Sequence, residues 1–371
     1  MNWAENRIFL YIISSLIIVY GCNQTHQNKQ ELKNNKSIVK YAQYFDIFEY
    51  KNGYKLQIIN PDNGNIEKTF FVNKHSINKE KNQIKVPIKS IICLSGTDIG
   101  YINKLNKIEK IKGISQLKYL HDKTLKKKVL NKTIKEWNDI HSLSPEKIYK
   151  ESSILSYSGM GKTIEKEKQF QLLNIHTLPN YDWRETHPLG KAEWIKMYAL
   201  LFDNLSECDK LFRLIEKRYK HLKEEAKKII QKSKIKPSIL SGSLISEFWY
   251  MPAGDSYFAQ IISDAGGDYI AKNNKGTGSA VFTIEQVVKQ YRHTQIWINP
   301  MFYSSREMKK ASQVYTLFDA FANKQVYCYS HQINSFWENS ASEPDKILSD
   351  LIEIFHHRNK KKMYFYKKIS F

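Results

Sequence analysis

The chain has 371 residues, 42% of them hydrophobic, and carries 58 lysines and arginines against 37 acidic residues, a formal net charge of +21. This length and composition exclude a disordered chain and predict a globular protein of two domains or one two-lobed body. The lysines are spread among asparagines and isoleucines rather than clustered with aromatic residues, which argues against nucleic-acid binding.

The N-terminus begins MNWAENR and continues with an apolar run, IFLYIISSLIIVYG, that ends at Cys22. The run is shorter than a comfortable membrane span and has the length of the apolar region of a secretory signal. Residues Val19 to Cys22 (VYGC) are typical of a bacterial lipobox. We therefore expect removal of residues 1–21 and acylation of Cys22, which would anchor the mature protein to a membrane. The alternative is an ordinary signal peptide with an incidental cysteine.

The next two segments lead into the main fold. Residues 22–40 are polar and predict a tether. Within residues 41–87, apolar and polar residues alternate around Asn52-Gly53, which predicts a small β-hairpin extension. From residue 88 to about 190, strand-like and helix-like segments alternate, among them a strand near 111–114. This order predicts an α/β lobe.

The second half of the chain predicts a helical connection and another lobe. From Lys191 to Lys232 there is no proline or glycine, and apolar residues recur at helical spacing. This pattern predicts a linking helix over 191–234, either one long helix or two abutting ones. Alternating strands and helices then resume over 235–371. The fold class is therefore α/β, with two lobes flanking a helical spine.

Two segments in the two lobes resemble each other. SPEKIYKESSILSYSG (144–159) and TIEQVVKQYRHTQIWINP (283–300) both have a capping Ser or Thr, a Glu two residues later and then an apolar strand. Their similar placement indicates that the halves are structural relatives.

The cysteines and the Gly-Asp-Ser stretch bear on other chemistries. Cys93, Cys208 and Cys328 form no C-x-x-C or Cys/His ligand spacing, so we expect buried apolar residues and no disulfide framework or metal site. Gly254-Asp255-Ser256 could announce a nucleophilic serine, but Gly-x-Ser-x-Gly is absent and no base accompanies it. Asp255 and Ser256 are both good N-cap residues and instead predict a short capped helix over 257–264.

Several of these segments resemble a known family. WYMPAGDSYFAQIISDAGGDY (249–269), with PLGKAEWIK, WINP and FWENSASEPDKILSDLIEIFH, is similar to the cobalamin- and iron-siderophore-type substrate-binding lipoproteins of ABC importers, in the variety common in Bacteroidetes. The resemblance runs from about Tyr41 to the C-terminus. It implies two Rossmann-like lobes joined by a rigid helix, a ligand in the cleft between them, and a monomeric protein that is not an enzyme. Lys191 stands where the family usually has arginine, and FHHRN replaces the usual His-Pro.

The expected ligand is an iron-siderophore-type chelate, with a corrinoid or haem as the alternative and no resident cofactor. Aromatic faces and a guanidinium suit an anionic chelate. The candidate contacts come from segments expected at strand ends: Tyr157, Trp183, Arg184, Trp249, Tyr250, Tyr257 and Trp337. For each aromatic residue, core packing is the alternative, and for Arg184 a solvated surface charge.

The resemblance also implies partners. One glutamate on each lobe would meet arginines of an ABC permease, and the matching positions are Glu146 and Glu285. The alternative is that both merely complement helix dipoles. We expect an exported lipoprotein on the periplasmic side of a membrane, with surface exposure left open. Two other classes compete, an exported serine hydrolase, which lacks a base, and an adhesive surface lipoprotein, for which the extension and the high lysine content are the only support.

Overall fold

The computed structural model describes residues 36–75, 82–115, 117, 120–137, 143–159, 166–329, 335–357 and 362–371. The predicted signal sequence and Cys22 lie outside the described residues. Within the described ranges, no helix combines the length and the apolar character that crossing a membrane requires.

The N-terminal extension is a four-stranded sheet rather than an isolated hairpin. Its strands are β1 (Phe45–Tyr50), β2 (Gly53–Ile59), β3 (Ile66–Asn73) and β4 (Gln83–Lys85), in the order β1-β2-β3-β4. β1 and β2 form the predicted hairpin, with Lys51 in the left-handed conformation at φ 51°. β3 adds antiparallel to β2, and β4 adds parallel to β3. The sequence analysis predicted only the β1–β2 hairpin, because the Asn52-Gly53 turn was the local signal on which it rested, and β3 and β4 were not predicted.

The N-terminal lobe is a parallel sheet covered by helices. Its elements are β5 (Ile91–Cys93), α1 (Gly96–Lys104), β6 (Ile111–Ile114), α2 (Lys123–Leu130), β7 (Lys135–Glu136), α3 (Pro145–Tyr149), β8 (Ile154–Ser158), α4 (Glu167–Leu172) and β9 (His176–Asn180). The strand order is β7-β6-β5-β8-β9, and every pair is parallel. This is the order of a Rossmann half, with its switch point between β5 and β8.

The connection between the lobes is three helices, not the one or two predicted over 191–234. They are α5 (Pro188–Glu193), α6 (Ile195–Leu201) and α7 (Leu205–Ser233), the last of 29 residues. α6 ends because Asp203 adopts φ 57°, and the Asn204 N–H bonds back to Ala199 at 2.8 Å. A single left-handed residue breaks the helix without proline or glycine. The long spine is therefore α7.

The C-terminal lobe repeats the α/β plan with an added small sheet. Its elements are β10 (Ser238–Ser241), β11 (Ser243–Ile245), β12 (Phe248–Pro252), α8 (Tyr257–Asp264), β13 (Asp268–Tyr269), β14 (Ser279–Thr283), α9 (Ile284–Tyr291), β15 (Ile296–Ile298), α10 (Ser305–Ala311), α11 (Asp319–Ala322), β16 (Val326–Tyr329), α12 (Phe336–Asn339), α13 (Pro344–His356) and β17 (Tyr366–Lys368). The main sheet runs β13-β10-β15-β16-β17, parallel except for β17. β11, β12 and β14 form an antiparallel sheet.

The internal similarity corresponds to equivalent caps. The Ser144 hydroxyl accepts the Lys147 N–H at 3.4 Å at the start of α3. The Thr283 hydroxyl accepts the Gln286 backbone N–H at 3.3 Å, and the Gln286 side-chain oxygen accepts the Thr283 backbone N–H at 2.9 Å. The two bonds form a complete capping box at the start of α9. Each helix leads to a strand of its lobe's main sheet, which agrees with structurally related halves.

Two buried carboxylates, in α5 and just before it, join the N-terminal segment to the connection between the lobes. Glu193 is 0% exposed and accepts backbone N–H groups of residues 40–42 at 2.6–3.1 Å. Glu185, also 0% exposed, accepts those of Gln43 and Tyr44. The predicted tether of 22–40 is therefore too long, because its last residues belong to the folded body.

The extension shares its core with both lobes. Phe45 packs on Trp194 with ring centroids 4.8 Å apart, and one cluster of buried apolar residues runs through all three parts. Cys93, Cys208 and Cys328 are buried, as predicted. The extension is thus built into the body of the molecule.

The lobes also touch directly through α1 and α12. Gly100 of α1 lies so close to α12 that an added Cβ would be 1.7 Å from the Glu338 carbonyl oxygen. The Glu338 carboxylate accepts the backbone N–H groups of His121 and Asp122, where α2 begins. Burial raises the pKa of Glu338 to about 7. This contact fixes the distance between the lobes.

Candidate ligand-binding site

The carboxyl ends of the two parallel sheets lie toward each other. α1 follows β5, α12 follows β16, and these two helices are in contact. The loop after β9 also reaches the C-terminal lobe, because the Glu185 carbonyl accepts the Tyr257 N–H of α8 at 3.1 Å. Open α/β sheets bind ligands at the carboxyl ends of their strands. The candidate site therefore lies between these ends.

Arg184 joins three parts of the molecule at this place. It lies in a 3₁₀ turn, Asp182–Arg184, directly after β9. Its Nε donates to the Thr277 hydroxyl of the C-terminal lobe at 3.0 Å, and its Nη1 lies 2.8 Å from Asp62 of the extension. Its side chain is 25% exposed. The guanidinium is thus a partly exposed positive charge at the junction of the lobes.

Trp183 supplies an aromatic face and an unsatisfied donor beside Arg184. The guanidinium carbon lies 5.2 Å from the centre of the Trp183 ring, a cation–π distance. The indole Nε1 is buried and has no hydrogen-bond partner among the described residues. Buried N–H groups are rarely left unpaired. Trp183 and Arg184 together are suited to a flat ligand that bears an acceptor and negative charge.

A buried ion pair underlies the same loop. Lys191 Nζ lies 3.1 Å from Asp182, and both side chains are at most 8% exposed. Burial lowers the pKa of Lys191, but Asp182 and Tyr257 outweigh it, so the net shift of the pKa is upward. Lys191 Nζ also lies 4.9 Å from the Tyr257 ring centre. Lys191 therefore holds α8 against the loop and is not a free cation.

A second buried carboxylate lies at the carboxyl end of β9. Asp98 of α1 accepts the Tyr198 hydroxyl at 2.6 Å and the Asn180 amide at 2.8 Å. Burial raises the pKa of Asp98 to about 6, against these hydrogen bonds, which lower it. The cluster ties α1, β9 and α6 together beneath the loop that carries Arg184.

Two of the predicted ligand contacts, Tyr157 and Trp249, are buried side chains. Tyr157 is 3% exposed and belongs to a small apolar cluster of the N-terminal lobe. Trp249 is 0% exposed, donates its Nε1–H to the Ser241 carbonyl at 2.9 Å, and packs on Trp297 with ring centroids 5.2 Å apart. Both side chains face the interior of their lobes, so core packing, the stated alternative, accounts for them.

The other aromatic candidates keep exposed surface. Tyr257 is half-buried and contacts the loop after β9, as described above. Trp337 of α12 is 45% exposed, at the contact between the lobes. Tyr250 is half-buried on the outer face of β12, opposite Val281. Its neighbour on that face, Phe248, is 43% exposed. The sequence FWYMP has large side chains at every position and does not reveal which face of β12 is outward.

The two glutamates of the internal similarity lie in the first turns of α3 and α9. Glu146 accepts the Ser144 hydroxyl at 2.6 Å, and this bond lowers its pKa. Glu285 has its pKa lowered by backbone N–H and by Thr283. Both side chains are exposed and charged at neutral pH. They can complement a helix dipole and meet a partner at the same time.

Ser256 is a helix cap. Its hydroxyl donates to the Ala253 carbonyl at 2.7 Å and accepts the Ala259 N–H at 3.2 Å, and the residue is 3% exposed. Of the two residues predicted as N-cap, Asp255 and Ser256, it is therefore Ser256 that caps α8. Among the described residues, no group of three or more His, Cys, Asp or Glu is arranged to hold a metal ion.

Two Rossmann-like lobes and a long connecting helix define the fold of two-lobed solute-binding proteins. A sequence model of the periplasmic binding protein family matches residues 91–332, and the chain belongs to that family. The family consists of exported substrate-binding proteins rather than enzymes, and they deliver small ligands to ABC permeases. The match to a Bacteroidetes variety stays a prediction.

Three comparisons illustrate the similarity. An uncharacterized lipoprotein of Methanocaldococcus jannaschii, MJ0878, is 28% identical, covering 87% of this chain and 83% of its own length. A periplasmic haem-binding protein from Pseudomonas aeruginosa has a TM-score of 0.60 at 11% identity, covering 76% of this chain and 99% of that chain. The periplasmic vitamin B12 binding protein BtuF of Vibrio cholerae has a TM-score of 0.53 at 12% identity, covering 74% and 99%. At such identities the structures demonstrate the shared fold.

Proposed function

We propose that this protein is a membrane-anchored receptor that captures an anionic iron chelate between its lobes and delivers it to an ABC importer. The observation that carries the proposal is Arg184, a partly exposed guanidinium at the carboxyl end of β9 that bonds across to Thr277. Family membership supplies the context of solute binding.

The chemistry of the loop favours an anionic, flat or propeller-shaped ligand. Trp183 offers an aromatic face and an unsatisfied N–H beside the charge of Arg184. Tyr257 and Trp337 add partly exposed rings from the C-terminal lobe. Large ligands are held by aromatic faces with a few polar groups that set orientation. An anionic ferric siderophore, such as a ferric tris-catecholate, meets these requirements.

Haem and corrinoids are the second candidates. The structural neighbours include a haem-binding and a vitamin B12 binding protein, so the fold accommodates both kinds of ligand. Haem carries two propionates and would also use Arg184, whereas cobalamin is neutral and would not require it. Dependence of binding on Arg184 therefore distinguishes an anionic ferric siderophore or haem from cobalamin.

Docking and anchoring complete the proposal. Glu146 and Glu285 are exposed carboxylates at equivalent helix starts, one on each lobe, which suits a permease with two matching basic sites. A lipid on Cys22 would hold the receptor at the membrane that contains this permease. We expect a monomer on the periplasmic side.

The test is a binding titration followed by quenching of tryptophan fluorescence, with a ferric siderophore, haem and cobalamin as separate probes. Arg184→Ala should weaken binding of the anionic probe by roughly 1.5–3 kcal/mol, or about ten- to a hundredfold, because a charge-assisted hydrogen bond is lost. Arg306→Ala, an exposed arginine of α10, is the matched control and should have no effect.

Two results would count against the proposal. Tight binding of cobalamin that is insensitive to Arg184→Ala would replace the iron chelate by a corrinoid. No binding of any of the three probes would remove the receptor function itself.

A further inference from the structure

The turn between β2 and β3 places a carboxylate on the arginine of the candidate site. Residues 60–65 form this turn, and Asp62 Oδ1 lies 2.8 Å from Arg184 Nη1. The turn is ordered by its own bonds: the Asn60 N–H donates to the Asn65 carbonyl at 2.8 Å, and Gly64 adopts φ 71°. Neither feature uses the Asp62 carboxylate. The turn therefore does not need the ion pair in order to fold.

The extension is held firmly beside the loop after β9. Glu185, which directly follows Arg184, binds the backbone N–H groups of Gln43 and Tyr44 just before β1. Tyr181, in the same loop, donates its hydroxyl to Glu67 of β3 at 2.6 Å. Contacts on both sides of Arg184 thus fix the position of the turn. Asp62 faces the guanidinium because of this attachment.

The extension lies outside the part of the chain that matches the family model. That match begins at residue 91, whereas β4 ends at Lys85. Asp62 therefore lies outside the residues that the family model matches, and its effect on the site is separate from the properties of the matched region.

We propose that Asp62 is a specificity-determining counter-ion, which an anionic ligand must displace from Arg184 on binding. The inference rests on the proposed function, since it assigns a role in the same site. In the free protein, Asp62 neutralises the guanidinium and Thr277 orients it. A ligand with little negative charge gains little binding free energy, because on Arg184 it only replaces the carboxylate of Asp62 by a similar group. Selection then favours ligands with several negative charges that outcompete Asp62.

The expected effect of Asp62 on ligand affinity is limited by the solvent exposure of the ion pair. The side chain of Asp62 is 64% exposed and that of Arg184 is 25% exposed, so solvent screens the pair strongly. Exposed ion pairs of this kind stabilise weakly, which corresponds to a change of about two- to fivefold in affinity. Because the interaction is screened by salt, the change should shrink at high ionic strength.

The experiment compares Asp62→Asn with wild type in titrations of a ferric tris-catecholate siderophore, haem and cobalamin at low and high salt. Asparagine keeps the size of the side chain and an acceptor for Arg184 but removes the charge. The expected result is about two- to fivefold tighter binding of the anionic probes at low salt, with cobalamin unchanged. Thermal unfolding of each variant confirms that it is folded.

Asp203→Asn is the matched control. Asp203 pairs with Lys74 at the same 2.8 Å N–O distance but lies between α6 and α7. The Asp203→Asn substitution removes one negative charge from the protein, as Asp62→Asn does, but leaves the ion pair between Asp62 and Arg184 intact.

The outcomes separate the two proposals. Unchanged affinity of Asp62→Asn for the anionic probes, or an equal gain in Asp203→Asn, overturns the role of Asp62 and leaves the receptor function standing. Wild-type protein that binds cobalamin alone also overturns the counter-ion role. Wild-type protein that binds none of the probes overturns the receptor function and this inference with it.

Discussion

Replacing Gly100 by alanine should push the two lobes apart. The new Cβ would lie 1.7 Å from the carbonyl oxygen of Glu338 and 2.6 Å from its carbonyl carbon. Carbon and oxygen atoms approach no closer than about 3.3 Å, so α1 and α12 must separate by roughly 1.5 Å. The obstacle is backbone, which cannot rotate away as a side chain could. We therefore expect the inter-lobe contact to be strained or broken.

The magnitude follows from the cost of overpacking, about 1–3 kcal/mol. With an unfolding entropy of about 2.1 cal/mol/K per residue, this cost lowers Tm of the whole chain by about 1–4 °C. The matched control is Gly96→Ala at the start of the same helix, where an added Cβ meets no heavy atom within 4 Å. Alanine there should be neutral or slightly stabilising.

The assay is thermal unfolding followed by circular dichroism, combined with hydrogen exchange. The amide of Asp122, which donates to Glu338 at 2.9 Å, should exchange faster in Gly100→Ala than in Gly96→Ala. If Gly100→Ala melts at or above the temperature of the control with unchanged exchange at Asp122, the close contact between the lobes does not exist in solution.

Three further predictions concern pH, docking and the anchor. Burial raises the pKa of Glu338 from 4.5 to about 7, so the contribution of this side chain to stability is complete below pH 4.5 and is lost as the pH rises through 7. The free energy of unfolding of wild type relative to Glu338→Gln, measured with urea, should therefore fall by up to about 3 kcal/mol between pH 4.5 and 8. The double change Glu146→Ala/Glu285→Ala should abolish ligand uptake by cells while leaving ligand affinity intact, and normal uptake would leave both residues as helix-dipole partners. Cys22→Ala should move the protein from the membrane fraction to the soluble fraction, and continued membrane association would contradict lipidation.

Local signals in the sequence predicted the elements of the fold well. β6 matches the predicted strand over 111–114, and α8 matches the predicted helix over 257–264. Caps at Ser144 and Thr283 are used as predicted, because an N-cap depends on residues only three positions apart. The alternation of strands and helices on both sides of a helical connection predicted two lobes, and the family resemblance implied the same arrangement.

The candidate site was harder to predict because its contacts are distant in sequence. Asp62 and Arg184 are 122 positions apart, and no local pattern links the turn that carries Asp62 to the loop that carries Arg184. The orientation of Trp249 and Tyr250 was equally hidden, since an apolar strand has two faces and only packing decides which is buried. The boundary between α6 and α7 was not predicted, because it depends on the left-handed backbone conformation of Asp203 and not on a proline or glycine.

The central claim is that the protein binds a coloured chelate between its lobes, and the visible absorption spectrum of protein purified from its native host tests it most directly. The account predicts an absorption band that follows the protein through gel filtration, with one chromophore per chain and the spectrum of a ferric siderophore. The band should be lost more readily on dialysis from Arg184→Ala than from Arg306→Ala. Colourless protein that also takes up no ferric siderophore, haem or cobalamin when each is added in excess would contradict the account.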